Sequence, residues 1–157
     1  MARTPYDENV KVFFCETIVD RDAPTEAEIG AGIDWTPFLT KDGVNVPNAQ
    51  NMVDTGGIDT SYDAQQVGTW GGAPLVLTMF RDDTDETDSY DSITYRDRGF
   101  VVISRFGVPE SGGRVEVWPV EAHEPTLQQT AGNEAQKFTA AFAVTDAPSM
   151  RAVVAAS

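Results

Sequence analysis

Apolar positions along the chain fall into short runs that alternate with polar residues or stand as compact blocks. Residues 10–15, Val-Lys-Val-Phe-Phe-Cys, are rich in β-branched and aromatic types and predict a strand. At 24–29, Pro-Thr-Glu-Ala-Glu-Ile places Thr25 three residues before Glu28. That is a capping-box pattern, so a short helical turn is expected there, stopped by Gly30 and Gly32. Trp35, Phe38 and Leu39 predict a strand over 35–40. Residues 74–80, Pro-Leu-Val-Leu-Thr-Met-Phe, are apolar on both alternating faces, as in a strand covered on two sides. The acids from Asp82 to Asp91 suit the positive end of a helix dipole, with Tyr90 and Ile93 as an inward stripe. Residues 99–106 and 114–120 form strand patterns joined by Pro109-Glu110-Ser111-Gly112-Gly113, a hairpin with a longer loop. Over 135–145, Phe138, Ala140, Phe142 and Val144 alternate with Lys137, Thr139 and Thr145, the pattern of a half-buried antiparallel strand.

Residues 41–72 break this regularity. The segment is dominated by Gly, Pro, Asn, Gln, Asp, Ser and Thr, with scattered apolar residues. Connections longer than ~12–15 residues are uncommon in compact domains unless they are functional or disordered. The interleaved apolar residues argue against plain disorder. An extended hairpin that packs on something other than its own domain fits both observations. The ends, 1–9 and 147–157, are expected to be arms. Many short strands, one or two helices and frequent turns predict a mainly β fold. The expected architecture is an antiparallel β-sandwich with one flanking α-helix, in a single domain over 1–157. Met52, Val53, Ile58, Tyr62 and Trp70 of the loop, with Met150, Val153 and Val154 of the C-terminal arm, are candidate contacts between subunits. Arms, an orphan loop and strand edges are the features of a chain that assembles.

Composition narrows the function. The 157 residues carry 25 Asp and Glu against 11 Lys and Arg, a formal net charge of −14. Binding to phosphate backbones or anionic lipid needs the opposite balance. One cysteine, Cys15, excludes an intrachain disulfide, and one histidine, His123, excludes a two-His metal site within the chain. A Cys15–His123 nucleophile pair has no local support, and a small buried hydrophobe is the plainer role for Cys15. No apolar run approaches the ~18 residues of a membrane span. The first residues lack the apolar stretch of a signal peptide, so synthesis in a cytoplasm is expected.

Motifs of chemistry are missing. There is no Gly-Lys-Ser/Thr, no dinucleotide fingerprint and no Gly-x-Ser-x-Gly elbow. Asp83 and Asp85 have the first spacing of a calcium loop, but Thr87 and Asp88 occupy positions that need a ligand and a glycine. No carboxylate pair stands out for glycoside hydrolysis. No catalytic, cofactor or metal residues are therefore assigned. A carbohydrate- or host-binding sandwich module is the alternative, if Trp35, Trp70 and Trp118 are exposed; a small carboxylate hydrolase is a more remote one.

Several stretches together carry a resemblance. They are Ala23-Pro24-Thr25-Glu26-Ala27-Glu28-Ile29 with Gly32, and Gly71-Gly72-Ala73-Pro74-Leu75 entering the strand that ends Phe80-Arg81-Asp82-Asp83. Gly99-Phe100-Val101-Val102, Val117-Trp118-Pro119-Val120, and Asn133 to Phe138 running on to Pro148 complete the set. In this order the chain resembles the major tail tube proteins of long-tailed bacteriophages, in the version common among phages of actinobacteria. The resemblance implies a sandwich of tail-tube type, hexameric rings stacked into a hollow tube, and residues 41–72 as an inter-ring loop. It also implies a tape-measure protein, a tail terminator and tail-tip proteins as partners, and DNA that passes through the lumen without specific binding. The place implied is the virion tail, with no membrane and no cofactor. An acid-lined lumen would repel a phosphate backbone and let it slide. Asp54, Asp59, Asp63, Glu116 and Glu121 are the candidate lumen acids.

Overall fold

The computed structural model describes residues 9–46, 50–71, 73–81, 90–128, 132 and 135–156. The elements are β1 (Lys11–Cys15), α1 (Glu26–Gly30), β2 (Ile33–Asp34), a 3-10 turn (Thr36–Phe38), β3 (Leu39–Asn45), β4 (Gln50–Asp54) and β5 (Gln65–Trp70). They continue with β6 (Leu75–Phe80), β7 (Arg98–Ser104), β8 (Arg114–Ala122), β9 (Thr126–Leu127), β10 (Lys137–Val144) and β11 (Ser149–Val153). The main sheet has the order β2-β1-β7-β8-β10-β6-β3, with every pair antiparallel.

β8 is where the sheet folds over. On one side it pairs with β7 from Ser104↔Val115 to Arg98↔Glu121. On the other it is shared: β11 takes its first half and β10 its last residues, Val120 to Ala122. This split lets β1-β7-β8 face β10-β6-β3 across the main core, an antiparallel β-sandwich. Alternation does the sorting. Val12 and Phe14 of β1, Val101 and Ile103 of β7, and Trp118 and Val120 of β8 meet Leu75, Leu77 and Met79 of β6 and Phe138 and Phe142 of β10. Trp35 fills the centre, its ring stacked 5.1 Å from Phe14 and 5.7 Å from Phe142.

The other parity of the same strands builds a second core. Cys15, Val102, Val115 and Val117 are covered by Ile29 of α1, by Ile18, and by Ala152 and Val154. Helix α1 is thus the flanking helix, and its start is the expected capping box. The Glu28 backbone N–H donates to Thr25 Oγ1 at 3.1 Å, and the Thr25 backbone N–H donates to Glu28 Oε1 at 3.2 Å. Gly99 in β7 lies directly against the Phe14 ring and the Cys15 carbonyl, each under 3 Å from where a Cβ would stand, so no larger residue fits.

Three expectations are corrected. Residues 35–40 are not one strand: Trp35 caps a 3-10 turn that holds Pro37, and β3 begins only at Leu39. Residues 147–157 are not an arm without partners in their own chain. β11 pairs with β8, Ser149 Oγ donates to Asp22 Oδ1 at 2.6 Å, and Arg21 contacts Asp146 at 2.9 Å. Residues 41–72 hold the end of β3 and then β4 and β5, an antiparallel pair in line with the extended hairpin expected there. The expected N-terminal arm falls, through residue 8, outside the described residues, as do residues 82–89 of the expected acidic helix; its end is corrected, since residues 90–92 form a turn and not helix. Tyr90 and Ile93, expected as its inward stripe, both pack on the main core, with Tyr90 edge-on to Phe138 at 5.4 Å.

Candidate assembly interface

Strands β4 and β5 form a two-stranded sheet of their own, with no backbone pairing to the main sheet. Every residue of β4 is exposed, and β5 is exposed except at Gly68. Successive side chains of a strand point to opposite faces, so the exposure of both Met52 and Val53 leaves both faces of the ribbon bare. Local bonds shape it: Asn51 Nδ2 donates to Thr69 Oγ1 at 3.0 Å, and the Thr55 backbone N–H donates to the Ala64 carbonyl at 2.8 Å. Beyond Thr55 the tip carries Ile58 and Tyr62, both strongly exposed.

At its base the ribbon comes beside β11. Gln50, Val67 and Trp70 share a cavity of about 490 Å³ with Asp22, Pro148, Ser149, Met150 and Arg151. The structure therefore brings Trp70 and Met150 together. Val153 is half-exposed on β11. Val154 is corrected: at 1% exposure it is sealed in the second core and has no surface to offer a neighbour. Val67, one of the scattered apolar residues of 41–72, and Phe106 and Val108 are exposed as well, though none was among the candidate contacts. The signal for the last two is an apolar residue on each side of Gly107 in a turn.

The five candidate acids do not share one surface. Asp54, Asp59 and Asp63 gather at the ribbon tip, all exposed. Glu116 and Glu121 are five residues apart on the regular part of β8, so they point to opposite faces. Each is matched by an arginine from β7 or just beyond it. Arg105 Nε donates to Glu116 Oε1 at 3.1 Å, and Arg98 Nε donates to Glu121 Oε2 at 3.2 Å.

Among the described residues no group of side chains is arranged for catalysis. Burial, with a smaller contribution from the Glu28 charge, pushes the Cys15 thiol up to about 11, so no thiolate is available at neutral pH. His123 is exposed past the end of β8. Among the described residues no group of three or more His, Cys, Asp and Glu side chains could hold a metal ion. No helix of the described residues is long and apolar enough to cross a membrane. Trp35 and Trp118 are buried at 1% and 3% exposure, which removes two of the three rings that a sugar-stacking platform would need.

Over residues 1–157 the chain matches the family described as phage tail tube protein. The chain belongs to that family. No curated protein matches it. Its fold is similar to that of a chain in the cryo-EM structure of the anti-feeding prophage baseplate, 6-fold symmetrised, with a TM-score of 0.61 over 98% of this chain and 99% of that one. At 11% identity that likeness concerns the fold. As a member of the tail tube family the chain is a structural component of a phage tail and of the virion, not an enzyme. The exposed ribbon and its surroundings are thus surfaces of a chain made to join other tail components.

Proposed function

We propose that the chain assembles into hexameric rings that stack into a hollow tube, and that the tube conducts DNA out of the particle. The observation that carries this reading is the bare β4–β5 ribbon. A two-stranded hairpin alone is marginal in water, and clustered exposed apolar residues mark interaction surfaces. Met52, Val53, Ile58, Tyr62 and Trp70 then meet a neighbouring ring, and Met150 and Val153 extend the contact. The 6-fold description of the similarly folded baseplate chain supports six as the copy number. A tape-measure protein, a tail terminator and tail-tip proteins are the further partners in this reading, and synthesis is in the host cytoplasm. Six copies at −14 carry a formal −84, so assembly works against charge, and a net acidic lumen gives that charge a use. Glu116 and Glu121 cannot both serve a lumen formed by one face of β8. The ribbon acids Asp54, Asp59 and Asp63 belong with the contacts between rings.

Replacing residues 50–70 by a short Gly-Ser linker tests the proposal. The expected product melts cooperatively as a subunit and forms no tubes by electron microscopy. Normal tubes from this variant would refute the role given to the ribbon.

A further inference from the structure

A second groove, of about 200 Å³, shares Met150 and Arg151 of β11 with the one at the ribbon base. Ile103, Val115 and Glu116 line it together with Phe106 and Met150, two exposed apolar residues. Three arginines border it: Arg105, Arg114 and Arg151. Arg105 is neutralised by two hydrogen bonds to Glu116, at 3.1 and 3.3 Å. Arg114 and Arg151 have no ionic partner among the described residues. This is unusual in a chain whose acids outnumber its bases 25 to 11. Register fixes the pair in place, because Arg114 stands opposite Val153 across the β8–β11 ladder, two residues from Arg151.

The ribbon tip has the complementary character. Asp59 and Asp63 have no cation beside them among the described residues, and Ile58 and Tyr62 next to them are exposed by 109% and 80%. We infer that the Arg114–Arg151 groove is the receptor for the β4–β5 tip of a second copy of this chain. Asp59 and Asp63 meet the two guanidiniums, and Ile58 and Tyr62 cover Phe106 and Met150. Charge complementarity sets the register of such a contact, and the apolar residues supply its buried centre. The inference rests on the proposed ribbon-mediated assembly and names the surface that the ribbon engages.

The test is a charge exchange between two full-length proteins. One carries Arg114→Glu with Arg151→Glu, and the other carries Asp59→Arg with Asp63→Arg. All four positions are exposed, so both variants are expected to fold, which thermal melting checks. Alone, each sets like charges against each other, and its critical concentration for tube formation rises at least about tenfold. Mixed in equal amounts, every groove finds an opposite tip on the other variant. The critical concentration then returns to within about threefold of the unmodified protein, the signature of direct coupling. Unchanged assembly by either variant alone overturns the inference and leaves the ribbon-replacement result standing. Failure of the mixture to recover also overturns it, since a tip docked on its own chain gains nothing from mixing. Loss of double-stranded DNA binding in the arginine variant, with tubes forming normally, would instead assign the groove to phosphate.

Discussion

The indole N–H of Trp35 donates to the hydroxyl of Ser92 at 3.1 Å, tying together two segments 57 residues apart in the chain. The other buried tryptophan, Trp118, has no acceptor for its indole nitrogen among the described residues. Two rings of equal size and similar burial therefore differ in one hydrogen bond. Trp35→Phe loses a made bond; Trp118→Phe removes an unmet donor. Both lose packing volume. Trp35→Phe is expected to destabilise the subunit by about 1 kcal/mol more than Trp118→Phe, measured by denaturant unfolding below the assembly concentration. Equal or reversed values would show that the Trp35–Ser92 bond contributes nothing net.

Adjacent valines near the C-terminus should separate stability from assembly. Val154 is sealed against Ile29 and Val115 in the second core, whereas Val153 is half-exposed. Val154→Ala is expected to cost about 2 kcal/mol of subunit stability. Val153→Ala should stay within about 0.5 kcal/mol in the same measurement. Truncation after Asp146 removes β11 and should lower the melting temperature of the subunit as well as abolish tubes.

Cys15 provides an alkaline signature. Its thiol titrates near 11 in the folded chain against an ordinary 9.0. Between those values the unfolded chain has released the proton and the folded chain still holds it, so folding stability falls as pH rises. Relative to Cys15→Ala, the unmodified protein should lose about 1.4 kcal/mol per pH unit across that window. A constant difference between the two proteins from pH 9 to pH 11 would remove the thiol from the second core.

The α1 cap gives the opposite sign. Burial works against the Glu28 carboxylate, but hydrogen bonds outweigh it. These come from the backbone N–H groups of Val19 and Thr25 and from the Thr25 hydroxyl, and they hold its pKa below the ordinary 4.5. The stability this adds is present above that ordinary value and is lost as pH falls through the lowered one. The advantage of the unmodified protein over Glu28→Gln should therefore shrink on acidification, as followed by thermal melts from pH 6 downward.

The parts of the fold that were legible in the sequence are those where burial imposes a period. β1, β6, β7, β8 and β10 each carry alternating or continuous apolar residues because one or both faces meet a core. The Thr25–Glu28 cap was legible because it needs only local residues. β4 and β5 left no period, because a ribbon exposed on both faces makes no distinction between its sides. β11 was hidden for another reason. A register shift between Ser149 and Ala152 breaks its alternation, and its partner β8 lies some thirty residues earlier in the chain. Trp35 reads as a strand residue, yet Pro37 turns the backbone and sends the ring into the core. The Arg114–Arg151 groove depends on that same β8–β11 pairing, so no stretch of the chain announces it.

The two ends of the main sheet are unlike. At one end is β2, two residues long; at the other is β3, bulged around Gly43 and carrying exposed Lys41 and Asp42. β8, by contrast, has no vacant backbone side. In the proposed rings each chain adds its neighbour head to tail, so its unlike flanks all run the same way round. Objects built by repeating such a unit have a front and a back. A tube made from this chain would present different chemistry at its two mouths, so the protein that seals one mouth would find no matching surface at the other.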